Sequence, residues 1–488
     1  MELPNAQNIV KCKWVFRKKL NLDGSVKEFK ARLVAKGFSQ RYGIDFYETF
    51  APVAKMKSIR AIAGISASLK LTIYQDDAPS AFLDPSLKET VVMQQIPGYE
   101  DGSTRVCLLK KPLYGLKQSP REWNSVVDNF MKEQGFSQLT SDTCVYYKKT
   151  PGTILIVAVY VDDILTCGVQ NSVELNEFRS ALHKRFNMEK GGIINHYLGM
   201  NFNFLENGSI TIDQHHYLIS KLSEFNEYIG SGSRSSPLPA DYLQHLENDK
   251  DEEIILNEKF PYRAMVGSLM YAMVSTFPAL AQPISIVSRF LSRPTLFHCN
   301  LVRHIFQYVR GNIDHNGITF NPCEKPTHQI VGYVDASYTN NNNSKSTTGY
   351  CFTLNNSIIS WNSKCQPVTA LSAAESEYIA ATEATKEAIW WRQFMNELGF
   401  PQETTILHED NQACILLSKN PQAHNRTKHI QVRFHFVREK TASNEVSLKY
   451  ISTKSQLADI FTKTTPGFAL RPALKSLQCG VKVSKLLG

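Results

Sequence analysis

Two hydrophobic periods divide the chain. Residues 144–147 are β-rich, a Pro-Gly turn follows within 149–152, and the apolar run 154–161 leads into Asp162, Asp163, Ile164 and Leu165. That pattern predicts a hairpin ending on two carboxylates. Apolar residues at mixed three and four spacing over about 262–310 predict helices, after a polar stretch from Gly230 to Glu253 that marks a boundary. Further on, 330–335, 349–354 and 358–361 are β-rich and separated by Asn-rich turns, as in a three-stranded meander. A long helical pattern covers 372–398 and stops at Gly399. A strand at 404–409, a short helix at 412–418, a strand at 446–452 and a helix at 455–462 complete an α/β order with acids at several element ends. Residues 340–344 read as a loop tip, and no long-period repeat is apparent.

Length and composition narrow this further. With 488 residues, 42% apolar and 20% charged, the chain is globular and large enough for two or three domains. Ten cysteines stand singly, without a Cys-x-x-Cys pair, which argues for reduced thiols and against zinc. A cytoplasmic or nuclear location is therefore expected, not a secreted one. The run 154–161 is too short to span a bilayer, and 264–287 contains Pro278 and Pro283, so no membrane span is expected. The net charge is +9, and residues 1–60 carry thirteen Lys or Arg against five acids, or +8. A positive field this concentrated suits a polyanion.

Adjacent carboxylates in apolar surroundings are costly, because desolvation and mutual repulsion both oppose ionisation. A divalent cation relieves both. Asp162 and Asp163 could also form an exposed turn, but Asp76 and Asp77 end another apparent strand. Carboxylates from neighbouring strand ends can hold two magnesium ions.

At these residues the chain resembles a known family. Tyr160-Val161-Asp162-Asp163 is similar to the Tyr-x-Asp-Asp motif of reverse transcriptases. Cys12-Lys13-Trp14-Val15-Phe16, the segment from Lys30 to Phe38, Phe50-Ala51-Pro52-Val53 and the segment from Leu113 to Arg121 resemble copia-type retrotransposon polyproteins in order and separation. The resemblance covers roughly residues 11–463. It implies that Asp77, Asp162 and Asp163 are polymerase metal carboxylates, Asp77 rather than Asp76 because Phe82 lies five residues beyond it. Phe82 falls where the family keeps an aromatic that excludes a 2′-hydroxyl. Lys30 and Arg32 are implied to approach the triphosphate, with the choice between them open, and Gly115, Gln118 and Pro120 to lie in the nucleotide-contacting segment. The Ala78-Pro79 that follows Asp77 departs from the family's Val-Lys, and Pro79 cannot serve a central ladder.

The C-terminal order resembles ribonuclease H, which implies a second two-metal site from Asp335, Glu375, Asp410 and Asp459. Ser372-Ala373-Ala374-Glu375 is also a capping box; Glu377, Glu383 and Glu387 are expected on solvated or ion-paired helix faces. The resemblance also implies that Arg426, Lys428 and His429 face a hybrid backbone.

The expected fold class is α+β and α/β: a right-hand polymerase with palm and fingers, a helical connection, and a ribonuclease H-like α/β domain. Expected boundaries are 1–228 for fingers and palm, 229–328 for linker and helical thumb or connection, 329–465 for the nuclease, and 466–488 for a tail. The family implies an RNA-directed DNA polymerase with ribonuclease H activity, using two Mg2+ per site, with Mn2+ as a substitute. Implied partners are RNA template, DNA primer, RNA/DNA hybrid, deoxynucleoside triphosphates and other retrotransposon proteins, in virus-like particles or the nucleus. Protease, integrase and nucleocapsid segments have no counterpart, so a processed product or fragment is expected. The alternative is a decayed or domesticated fragment that binds nucleic acid without polymerising.

Overall fold

The computed structural model describes residues 8–20, 25–79, 81–150, 152–188, 191–247, 260–323, 327–339, 345–419 and 431–481. Arg426, Lys428 and His429 lie outside the described residues, as does the 340–344 loop tip. The chain divides into two compact units, one of residues 1–55 and 72–193, the other of residues 56–71 and 194–488.

The predicted hairpin is the centre of the first unit. Strands Val145–Thr150 and Thr153–Tyr160 pair antiparallel, and the second turns through Val161 and Asp162 into Asp163–Gly168. That strand pairs in turn with Thr72–Asp77, and Ser137–Gln138 adds the opposite edge. Alternate residues Leu155, Val157 and Val159, with Ile164, enter one core with Trp123, Val127, Phe130, Phe178, Leu182 and Phe186. The last six come from helices Ser119–Glu133 and Val173–Phe186. Burial of such side chains, at about 25 cal/mol per Å² of apolar surface, fixes the register, since a one-residue slip would turn the aliphatic rows outward.

A two-stranded ribbon, Cys12–Leu20 with Val26–Ala35, carries much of the N-terminal charge. Its register pairs Arg17 with Lys30 and Val15 with Arg32, so these residues share one face. Trp14, Phe16, Phe29 and Leu33 share the other. At the ribbon's base the Ala35 N–H donates to the Tyr114 carbonyl at 2.8 Å. Gly115, at φ +92°, lies directly against the Ala35 carbonyl, where a Cβ would collide.

The second unit holds two five-stranded sheets. In one the order is Ser357–Cys365, Thr347–Leu354, Ile330–Ser337, Thr405–Glu409, Val446–Tyr450, with the last two parallel to Ile330–Ser337. This is the meander-plus-parallel order expected of the nuclease. Helix Ala373–Glu397 packs on it through Tyr378, Ala381, Thr382, Thr385, Ala388, Trp391 and Met395, a three and four repeat. The other sheet joins His196–Tyr197, Met200–Phe204, Ile210–Asp213, Gly317–Phe320 and Cys479–Val481. Helices Tyr262–Ser275, Ala281–Val287 and Leu296–Gly311 form the expected helical middle.

Helix Met56–Leu69 belongs to this second unit despite its early place in the chain. Gly64 lets it approach closely, since a Cβ there would sit 3.2 Å from Phe320. Its Arg60 is buried, donates to the carbonyls of Val274, Ser275 and Ile359, and lies 4.0 Å above the Trp361 ring. Desolvation pulls this guanidinium down to about 9.

Several boundaries differ from expectation. The break between units falls at 193/194 rather than 228/229, because strands from 196 onward complete a sheet of the second unit. Residues 466–488 are not simply a tail: Gly467–Ser476 is helical and Cys479–Val481 pairs with Gly317–Phe320. Helix Gln431–Ala442 was not among the expected elements. Instead of one helix at 455–462 there are two single-turn 3-10 segments, Thr453–Ser455 and Leu457–Phe461.

Replacing Arg60 with Met should lower the stability of the second unit by about 3 kcal/mol, because three buried carbonyls lose their donor. A urea midpoint unchanged from wild type would contradict this account.

Candidate active sites

Register places the first group of acids. Asp163 sits opposite Asp77, on the face shared with Gln75, whose amide donates to Asp163 at 3.1 Å. Asp162 occupies the turn, where its carbonyl accepts from the Ala78 N–H at 2.9 Å. The other turn residue, Val161, has φ +58°, an unfavourable conformation for a β-branched side chain. It is held by the Trp123 indole N–H, which donates to its carbonyl at 2.6 Å. The strained turn is thus fixed from two sides. Burial raises the Asp163 pKa, and Asp162 and Asp77 raise it further while Gln75 opposes them.

Asp76 points to the opposite face and is buried. It accepts from Arg179 at 3.0 Å, from the Gly191 N–H at 3.1 Å, and pairs with His183 at 2.7 Å. Arg179 and His183 lie one turn apart on Val173–Phe186, so this aspartate clamps helix to sheet. Asp77, the residue expected at the site, is the one that faces Asp163. Pro79 lies beyond the strand's end at Asp77, outside the ladder.

Phe82 packs edge-on against Tyr114 at 4.7 Å, and the Arg32 guanidinium stands over the Tyr114 ring at 5.1 Å. Burial raises the Tyr114 pKa, with Asp162 and Asp77 adding to it and Arg32 opposing. Arg32, Tyr114 and Phe82 therefore form a stack beside the carboxylates; Lys30 shares the ribbon face of Arg32. Tyr114 was not singled out from sequence, although it lies between two residues that were. Gly115 and Gln118, expected in the nucleotide-contacting segment, have contacts within the protein. Gly115 faces the Ala35 carbonyl. Gln118 is fully buried, accepting from Gln40 at 2.9 Å and donating to the Asp45 carbonyl at 2.8 Å, so its amide is committed within the protein.

The second group forms at the ends of the mixed sheet. One carboxylate oxygen each from Asp335, Glu377 and Asp410 lies within 4.8 Å of the others. Glu375, the expected member, instead accepts from the Leu371 N–H at 2.8 Å, and its own N–H donates to Ser372 at 3.2 Å. It caps the helix. Glu377, two residues on, turns inward and is 6% exposed, not on a solvated face. Helical spacing does not separate them: Glu375 lies three residues before the buried Tyr378 and Glu377 four before the buried Ala381, and both side chains are buried.

Desolvation raises Asp335 to about 6, and pushes Glu377 and the fully buried Glu409 well up, with mutual carboxylate repulsion adding to each. Asp459 is also raised by burial, opposed mainly by Lys463. Among the described residues, Glu377 Oε2 and Glu409 Oε2 have no hydrogen-bond partner. An all-oxygen, multiply anionic donor set with orphaned buried oxygens fits a hard divalent cation such as Mg2+. Gly349 stands opposite Asp335 in the ladder, and its missing Cβ leaves room for Phe461 and Thr462. The Thr462 hydroxyl reaches Asp335, and Thr453 donates to Asp410 at 2.7 Å.

Asp76→Ala should cost about 3 kcal/mol of first-unit stability, having left the half-buried Arg179 without its carboxylate partner, while Asp77→Asn should change it by less than about 1 kcal/mol. Equal losses in chemical denaturation would refute the division of roles. At the second cluster, the folded pKa of Asp335 exceeds its unfolded value, so its contribution is present at low pH and lost as pH rises through about 6. With chelator present, Asp335→Asn should therefore gain on the order of 2 kcal/mol relative to wild type between pH 5 and pH 8. A pH-independent difference in melting would contradict this.

The family model described as reverse transcriptase (RNA-dependent DNA polymerase) matches residues 1–237. The chain is 40% identical over 477 residues to the retrovirus-related Pol polyprotein from transposon TNT 1-94 of Nicotiana tabacum, covering 96% of this chain and 35% of that one. It is 34% identical over 464 residues to the corresponding polyprotein from transposon RE1 of Arabidopsis thaliana, covering 94% and 31%. It thus spans about a third of the length of these relatives. A ribonuclease H1 isolated from compost matches 30% of the chain and 99% of its own at 15% identity, with a TM-score of 0.23, too low to weigh. No helix among the described residues is long and apolar enough to cross a membrane. With its reverse transcriptase match over residues 1–237 and its sequence aligned almost end to end within these relatives, the chain belongs to the copia-type retrotransposon Pol polyproteins.

Proposed function

We propose that this chain is an RNA-directed DNA polymerase that also cuts RNA in RNA/DNA hybrids. The observation that carries the polymerase reading is the register of Asp77 opposite Asp163, beside the turn at Asp162. Asp77, Asp162 and Asp163 would hold two Mg2+, and Asp335, Glu377, Asp410 and Asp459 two more, with Mn2+ able to substitute. Bound there, divalent cations supply Lewis acidity toward phosphoryl oxygens and lower the pKa of a 3′-hydroxyl or water. The chain's own residues do the positioning. Arg32 brings positive charge above Tyr114, suited to a triphosphate, and Lys30 extends that charge along the same face. Phe82, braced by Tyr114, supplies bulk against a ribose 2′-hydroxyl. RNA template, DNA primer and deoxynucleoside triphosphates are the proposed substrates, other proteins of the element the proposed partners, and virus-like particles or the nucleus the proposed location.

The alternative, a remnant that binds nucleic acid without polymerising, draws on the unusual residues around Asp77. The buried clamp made by Asp76 and the position of Pro79 past the strand end favour the enzyme reading, because both leave the Asp77 register intact. Primer extension on poly-rA with Mg2+ separates the two. Wild type should extend, Asp162→Asn should lose roughly a thousandfold, about 4 kcal/mol of activation free energy, and hybrid cleavage should survive. Glu377→Gln should show the reverse pattern. Phe82→Ala should relax discrimination against ribonucleotides by tenfold or more. Hybrid binding without extension in the wild type would sink the polymerase reading.

A further inference from the structure

Five carboxylates crowd the end of the nuclease sheet: Asp335, Glu377, Glu409, Asp410 and Asp459. Three offer oxygens within 4.8 Å of one another; Asp459 is outside that group. Its Oδ1 lies 2.8 Å from the ammonium of Lys463, four residues on and just past the end of the 3-10 segment. The same short segment bears Thr462, whose hydroxyl reaches Asp335. Lys463 therefore stands where the charges of Asp335, Asp410 and Asp459 all act on it. Its side chain is 46% exposed against 21% for Asp459, so the ammonium is the more solvent-exposed partner and can swing outward while the carboxylate stays in place. A lysine ammonium is compact, strongly hydrated and carried on a flexible stem, which suits a counter-ion that must leave.

We propose that Lys463 is a built-in counter-ion that occupies Asp459 until a second divalent cation displaces it, making the two metal positions of the nuclease unequal in affinity. The proposal rests on the nuclease reading above. The Asp335, Glu377 and Asp410 group is available to a first cation as it stands. A second cation that uses Asp459 must break an ion pair and move a positive charge outward. A unit charge a few ångströms away, in partly screened surroundings, corresponds to about tenfold in affinity. Lys463 is a positioning residue in this scheme, since it acts through Asp459.

The test counts bound Mn2+ by electron paramagnetic resonance during titration of the metal-free full chain, with Asp162→Asn and Asp163→Asn present to disable the polymerase acids. The parent should bind one Mn2+ tightly and a second about tenfold more weakly. Lys463→Gln should tighten the second step about tenfold and leave the first nearly unchanged. Adding Asp459→Asn should abolish that effect of Lys463→Gln. Melting gives an independent reading: Lys463→Gln should melt lower than the parent in chelator, and the gap should close at saturating Mn2+. A two-step isotherm that Lys463→Gln leaves unmoved, or a melting deficit equal with and without metal, would show a merely structural lysine and overturn the proposal alone. No Mn2+ binding to the parent would overturn the nuclease reading and the proposal together.

Discussion

Carboxylates gathered where water is scarce repel one another and lose solvation, and in both units the surrounding structure answers that cost. In the first unit the answer is separation. Alternation along Thr72–Asp77 sends Asp76 to one face, where Arg179, His183 and a glycine N–H satisfy it, and Asp77 to the other, opposite Asp163. In the second unit the acids are held together, and neutralisation comes from Thr462, Thr453 and Lys463 together with strongly raised pKa values. The orphaned oxygens of Glu377 and Glu409 show that this compensation is incomplete within the protein alone.

Rigid elements aim these groups. The Val161 turn, held by Trp123 and capped by the contact of Asp162 with Ala78, stores strain at the point where two carboxylates are presented. Gly349 performs a complementary task by vacating volume, so that the segment bearing Asp459, Thr462 and Lys463 can lie across Asp335. In both places the backbone is set by packing of large apolar neighbours, and the polar chemistry follows from it.

Much of the strand and helix order was legible because periodicity is a local property. The hairpin ending at Asp162, the meander beginning near residue 330 and the long helix after Ser372 all follow from alternation or from three and four spacing with clear turn residues. What was misread depended on distant partners. Glu375 and Glu377 differ by two positions on one helix, and a capping box describes the first equally well with or without a metal site. Gln118 sits in a motif that suggests nucleotide contact, yet Gln40 and Asp45 consume its amide. Helix Met56–Leu69 carries no local mark of the unit to which it belongs; Arg60 finds its carbonyl acceptors more than 200 residues away.

By itself, the sequence determined the residue types, the alternation that puts acids at strand ends, the concentration of positive charge before residue 60, and the family through its motifs. Tertiary structure decided what each member of an acidic pair faces. Asp77 faces Asp163 while the neighbouring Asp76 meets a helix on the other side, and Glu377 joins Asp335 and Asp410 while Glu375, just as deeply buried, is held by the Leu371 N–H. The physical reason is the same in both cases: a carboxylate's role is set by what desolvates and what pairs with it, and those neighbours are brought close only by folding.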